Sequence, residues 1–312
     1  MKNLRLLVVL NIGLILAIYF VYKAINAKNI DYLTAKISDE KKPQIKSYYD
    51  LSRWDDFNEK LRTLADNYPA RVGIYIKDLK TGRVWEYNAD RLFRSASLIK
   101  LPIMVGVFSL VEEKKISLDK EIPITNKDRV WGSGSLKWAR EGTRLTVLEL
   151  VYRMITESDN TATRVLLDYI GIDYFKSYFK QIGLCYTNIT EEGMDLTSGR
   201  VRKENFTTPR DMGYLLEKIY RKEIVSKNAC EMMLDILKRT KSYSRIRKGI
   251  PPTWQVGHKT GLLRKSTSDV AIVFSPNGDY ILCVLLDEVP SYRSGKIFIT
   301  KVAKLTSDFY RI

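Results

Sequence analysis

The chain is poor in the residues that hold metals and disulfides. One histidine, His258, occurs in 312 residues, which excludes a multi-histidine metal site and argues against a Ser-His-Asp relay. The three cysteines, Cys185, Cys230 and Cys283, are odd in number, far apart and without a Cys-x-x-Cys. They supply neither a disulfide framework nor a zinc-ligand spacing, and buried free thiols are the expectation. Acidic charge is also short: 36 Asp and Glu face 52 Lys and Arg, for a net charge of +16. That excess is spread thinly and is not gathered into a basic groove interleaved with aromatics. No nucleic-acid-binding motif accompanies it, so nucleic acid is not an expected partner. A positive exterior is compatible with an anionic wall or membrane surface. There is no internal repeat and no low-complexity tract.

Long apolar runs are confined to one place. Residues 6–22 are apolar except for Asn11 and Gly13, with Lys2 and Arg5 ahead of them. A helix over that run spans about 25 Å, slightly short of a bilayer's hydrocarbon core. No convincing small-x-small cleavage site follows, and no cysteine for lipid attachment lies there. The expectation is a signal-anchor over residues 1–27, a polar lysine-rich tether over 28–50 and a folded domain over 51–312. The body then lies outside the cytoplasmic membrane, the alternative being secretion after signal cleavage. Lys23 and Lys28 on the far side weaken the charge bias that sets orientation.

In the body, Trp54, Phe57, Leu61 and Leu64 recur at helical spacing and predict a helix over 52–67. Alternation through 71–78, a Lys80-Thr-Gly82 turn and a second run over 83–87 predict a β-hairpin. Residues 98–240 read as mostly helical, with loops at 131–135 and 187–206. Strands return over 253–263, 268–274 and 280–286, the last two joined by Pro276-Asn-Gly278, and an amphipathic helix closes the chain over 295–310. The fold class is therefore α+β. An antiparallel sheet from the two chain ends is flanked by helices, with an inserted all-helical subdomain and a cleft where the two parts meet.

Lys100 is the only charged residue between Leu98 and Val111, a stretch apolar on every side at helical spacing. An ammonium buried there is paired, deprotonated or both; the alternative is a lysine that snorkels out to water. Ser97 stands three residues earlier, one turn away on the same face if a helix begins there. A hydroxyl beside a desolvated amine is an activated serine made without histidine.

Ser97-Leu-Ile-Lys100, Ser158-Asp-Asn160 and Lys259-Thr-Gly261 follow one another in that order. Ser-x-x-Lys also occurs at Ser38/Lys41 and Ser117/Lys120, and Lys-Thr-Gly at Lys80. Only the Ser97 copy opens an apolar helix, however, and only the Lys259 copy lies in a late strand. The three elements in this order are the signature of class A β-lactamases and penicillin-binding proteins. Over about residues 52–312 the chain resembles the class A β-lactamase-like serine hydrolases. Supporting stretches are Ser158 to Asp168, Glu204 to Met212 and His258-Lys-Thr-Gly261, with a Gly132-Ser-Gly134 loop ahead of Ser-Asp-Asn.

The resemblance implies that Ser97 attacks a carbonyl carbon to form an acyl-enzyme, with the backbone N–H groups of Ser97 and Leu262 as the oxyanion hole. Lys100 is the general base, its pKa lowered by burial and by Lys259 as a second cation. Lys259 and Thr260 hold a substrate carboxylate, and Gly261 leaves room for substrate backbone. Ser158 passes a proton to the departing nitrogen, and Asn160 holds a substrate amide oxygen. Read by itself, Ser158-Asp-Asn160 is also a plain N-cap of the helix that follows. Class A enzymes activate the deacylating water with a glutamate in Glu-x-x-Leu-Asn. Here the loop reads Thr190-Glu-Glu-Gly-Met-Asp-Leu196, and Glu192 is the expected base, with Glu191 or neither as alternatives. The expected activity is β-lactam hydrolysis; a D-alanyl-D-alanine carboxypeptidase, a penicillin-binding protein and a slowly deacylating sensor are the rivals. The expected partners are a β-lactam or cell-wall peptide and, through the N-terminal helix, a membrane. No metal or organic cofactor is implied, and a monomer is expected.

Overall fold

A computed structural model describes residues 51–194 and 203–311. The predicted anchor and tether, residues 1–50, lie outside the described residues. The chain divides after Asp55, inside the first helix, and all that follows concerns the compact unit from Asp56 onward.

That first helix, α1 (Leu51–Asp66), is followed by β1 (Arg71–Asp78) and β2 (Val84–Tyr87). Near the other end lie a short helix α9 (Ile246–Gly249), strands β7 (Gln255–Leu263), β8 (Ser266–Phe274) and β9 (Tyr280–Asp287), and the closing helix α10 (Tyr292–Arg311). The five strands form one antiparallel sheet in the order β2-β1-β9-β8-β7. The sheet is thus made from both chain ends, as the strands expected at each end predict. β9 is buried along its whole length and β8 nearly so, because helices cover both faces of the sheet. One face carries α10, which also stacks Phe309 on Phe57 of α1 at 4.7 Å. The other carries α7 (Pro209–Arg221) and α8 (Lys227–Lys238).

The inserted part is built around α2 (Lys100–Glu112), in which every residue from Lys100 to Phe108 is buried. A helix apolar all round needs neighbours on every side. They are α3 (Val147–Thr156), α5 (Ile172–Gln181) and α8, with α4 (Asn160–Ile170) packed on α3. Gly106 permits the closest of these approaches: a Cβ there would stand 2.9 Å from the Phe175 ring.

The second Lys-Thr-Gly is ordinary turn chemistry. Asp78 Oδ1 accepts the backbone N–H groups of Lys80 and Thr81, and Gly82 takes φ +77°.

Two short ladders escape the sequence reading. β3 (Phe93–Arg94) pairs with β6 (Phe206–Thr207), and β4 (Glu121–Pro123) with β5 (Arg144–Thr146). Runs of two or three residues carry no measurable alternation. The first ladder ties the segment before Ser97 to the end of the 187–206 loop.

Candidate active site

Ser97 lies in a 3-10 turn, Ala96–Ile99, placed just before α2. The expected α-helical start is replaced by a tighter turn, closed by Leu98 N–H to Ser95 O at 2.9 Å. In a 3-10 turn, residues three apart eclipse one another, so Ser97 and Lys100 share a face. Ala96 enters with φ +47°, a left-handed conformation unusual for a residue with a side chain. It is held from both sides. Ser95 donates its N–H and its hydroxyl to Asn205 O, at 2.8 and 3.1 Å. Across from it, a Cβ on Gly261 would meet Ala96 Cβ and Ser95 O at 3.2 Å and Leu98 Cγ at 3.3 Å. Gly261 therefore lets the nucleophile turn lie against edge strand β7; the sequence reading gave that space to substrate backbone.

Lys100 is 2% exposed and does not snorkel. Its Nζ donates to Ser158 O at 2.6 Å and to Asn160 Oδ1 at 2.8 Å, with Ser158 Oγ at 3.4 Å. Burial brings its pKa down to about 7, against the opposing pull of the Asp159 carboxylate. Among the described residues its hydrogen bonds run to the Ser158–Asn160 turn, and none runs to the Ser97 hydroxyl.

That turn joins α3 to α4. Ser158 sits at φ +56°. Asp159 is wholly buried and is the N-cap: Oδ1 accepts Ala162 N–H at 2.9 Å and Oδ2 accepts Leu136 N–H at 2.8 Å. The capping reading therefore holds for Asp159, while its two neighbours project toward the amines. The Gly-Ser-Gly loop wraps the turn. Ser133 O accepts Asn160 N–H at 3.1 Å, and Trp131 O accepts Asn160 Nδ2 at 3.0 Å. Gly132 and Gly134 adopt φ of +101° and +97°, and any Cβ on Gly134 would collide with Asp159.

Lys259, 1% exposed in β7, reaches the same hydroxyl from the sheet side. Its Nζ donates to Ser158 Oγ at 2.8 Å and to Thr260 O at 3.0 Å. Burial holds its pKa well below the lysine range, and the Lys100 charge adds to that; Asp269 works in the opposite direction. Two buried amines on one serine oxygen disfavour a charge on both. Thr260 is half-buried and Leu262 is 46% exposed at the mouth. Ser97, Lys100, Asn160 and Leu262 line one cavity of about 320 Å³.

Residues 56–310 match the beta-lactamase enzyme family. The chain belongs to that family. The β-lactamase of Bacillus licheniformis is 30% identical over 239 residues, covering 74% of this chain and 75% of the relative. Beta-lactamase VEB-1 of Pseudomonas aeruginosa is 26% identical over 282 residues, 84% of this chain and 93% of the relative. Among solved structures, a mutant PBP-A in an acyl-enzyme complex with penicillin G superposes with a TM-score of 0.76 at 27% identity, covering 82% of this chain and 97% of that one. The β-lactamase from Sphaerobacter thermophilus gives 0.75 at 27% identity, covering 84% and 98%.

Against this β-lactamase background, the glutamate expected to activate water does not line the cavity. Glu191 and Glu192 open a four-residue helix, α6 (Glu191–Met194), and both are exposed. Gly193 and Met194 line the cavity in their place. The reason is the anchoring of the loop: Asn205 Oδ1 accepts Thr190 N–H at 2.8 Å, and Gly193 lies so close to the Asn205 amide that a side chain would overlap it. Gly193 and Met194 thus face the cavity while both carboxylates remain exposed.

Three further residues carry no role in the sequence reading. Trp131 lines the cavity while 63% exposed. Glu204 lines it as a half-buried carboxylate, its pKa raised by burial. His258 is buried and pairs Nδ1 with Asp269 Oδ1 at 3.0 Å, on the strand that carries Lys259. Each stands outside the three motifs, so pattern alone could not single it out. Among the described residues no three His, Cys, Asp or Glu groups are placed to hold a metal ion.

Proposed function

We propose that the protein opens β-lactam amides through an acyl-enzyme on Ser97, followed by hydrolysis. The observation that carries this reading is the fully buried Lys100 amine, one turn from Ser97 and bonded to Ser158 and Asn160. A substrate carboxylate beside Lys259 and Thr260 favours the charged form of Lys259. Its charge then disfavours a proton on Lys100, which stays neutral and basic. Lys100 takes the Ser97 hydroxyl proton as Oγ bonds to the lactam carbonyl carbon, and the oxyanion is met by the N–H groups of Ser97 and Leu262. The C–N bond breaks with transfer of the Ser158 proton to nitrogen, and Ser158 is reprotonated from the amines that contact its oxygen. Water then attacks the ester, releasing the acid and restoring Ser97. Asn160, already bonded to Lys100 and Trp131, also orients the substrate amide.

One observation favours a second reading. The exposed Glu191 and Glu192 leave the second step without the expected base, and slow release is the behaviour of a penicillin-binding protein, a D-alanyl-D-alanine carboxypeptidase or a sensor. Steady-state turnover of a chromogenic cephalosporin separates the readings. The proposal predicts turnover that Ser97→Ala lowers by at least about 10³-fold. A penicillin adduct lasting hours, with negligible turnover, supports the second reading. From its exposed position, Glu192→Gln is expected to keep wild-type turnover; a large loss there would restore Glu192 to the mechanism.

We also infer an extracytoplasmic monomer tethered by the apolar run at residues 6–22. Its support is the length of that run and the nature of a wall-directed substrate. Among the described residues no helix is long and apolar enough to cross a membrane.

A further inference from the structure

The acidic residue lining the cavity is Glu204, and its carboxylate is unused. Among the described residues it has neither a hydrogen bond nor an ion pair. Arg94, the cation whose charge lowers the Glu204 pKa, is engaged elsewhere: its Nε and backbone N–H both bond Asp287, at 3.0 and 3.2 Å. Asp159, a buried carboxylate beside Lys100, is consumed as a helix cap, and Asp287, the carboxylate whose charge acts on Glu204, is paired with Arg94. A half-buried carboxylate kept without a partner carries a desolvation cost. Burial accordingly raises the pKa of Glu204, while Arg94 only partly offsets the rise.

Glu204 is also firmly placed. It directly precedes Asn205, whose carbonyl accepts two hydrogen bonds from Ser95, and then the β3–β6 ladder. Ser97 lines the same cavity as Lys100 and Glu204, so groups of opposite charge border the space around the nucleophile. Lys100 is bonded to Ser158 and Asn160, while Glu204 stands just ahead of the β3–β6 ladder. Lys259, which shares Ser158 Oγ with Lys100, strengthens the cationic side. A substrate whose carboxylate lies with the lysines presents its acyl side chain toward the other side.

We propose that Glu204 is a specificity residue that selects substrates whose acyl side chain carries an ammonium group. The inference rests on Ser97 acylation as described above. Pairing with an ammonium relieves the burden on the carboxylate, and a charge-assisted hydrogen bond in a half-buried site discriminates strongly against an analogue lacking the donor.

Three penicillins that differ at one carbon supply the test: penicillin G with hydrogen, ampicillin with an amine and carbenicillin with a carboxylate. Second-order rate constants for Ser97 acylation are measured at about pH 6, where an α-amine carries its proton. In Glu204→Gln the ampicillin-to-penicillin G ratio is expected to fall about tenfold, with penicillin G itself within about twofold of wild type. In Glu204→Lys the preference is expected to reverse toward carbenicillin. Unchanged ratios in both variants overturn the assignment, and an equal fall for all three substrates assigns Glu204 a structural role and also overturns it. If none of the three acylates the wild type, the acylation reading itself fails, a result distinct from either.

Discussion

Lys100 shows how one residue carries two opposed demands. Its surroundings bring the amine down to about 7, where a proton acceptor is available at neutral pH. The same burial disfavours its charged form. An unfolded lysine titrates near about 10.4, so the folded state binds fewer protons between about pH 7 and 10.4. This residue's contribution to stability therefore rises with pH across that window and is least favourable below it. Lys100→Met keeps the volume and removes the charge. The expectation is an acylation rate lower by at least about 100-fold, with a melting temperature at about pH 6 unchanged or raised. A fall of several degrees in calorimetry would show instead that the bonds to Ser158 and Asn160 outweigh the burial.

At the scale of elements, two glycines decide how closely the catalytic parts assemble. Gly134→Ala adds a side chain at φ +97° that overlaps Asp159, and a loss of about 2 kcal/mol or more is expected in urea unfolding. Gly261→Ala is milder, since its contacts of 3.2 and 3.3 Å require a shift of only tenths of an ångström. Because the shift falls on the Ser97 turn, acylation is expected to drop about tenfold while unfolding changes by less than about 1.5 kcal/mol. An equal effect on both properties would contradict this separation. These elements also show where sequence runs out. The hairpin β1–β2 is visible through alternation and its turn residues, and β8 and β9 through apolar runs joined by Pro276-Asn-Gly278. The 3-10 turn at Ser97 was read as α-helix, since both periods place Ser97 and Lys100 on one face. A loop has no period to orient its side chains, so the sequence alone does not show that Glu192 is exposed while Gly193 and Met194 line the cavity.

Over the whole molecule, the sheet from the two chain ends brings Lys259 to an edge, and the inserted helices bring Ser158 to meet it. The 2.8 Å bond between Lys259 Nζ and Ser158 Oγ joins residues 101 positions apart, and it closes the site. Motif order made the membership of the three segments legible, but only their packing shows that one hydroxyl serves two amines. Glu204, unpaired among the described residues, belongs to this scale too, since the ladder between β3 and β6 follows it directly and it lines the cleft.

The central claim is that an amine kept in a dry interior switches on a serine, and the pH dependence of Ser97 acylation by penicillin G tests it most directly. By quenched-flow mass spectrometry the rate should climb through about pH 7 to a plateau as Lys100 loses its proton, and Lys100→Met should lie far below at every pH. A rate that stays flat from acid to alkaline pH, or an undiminished Lys100→Met, would contradict it.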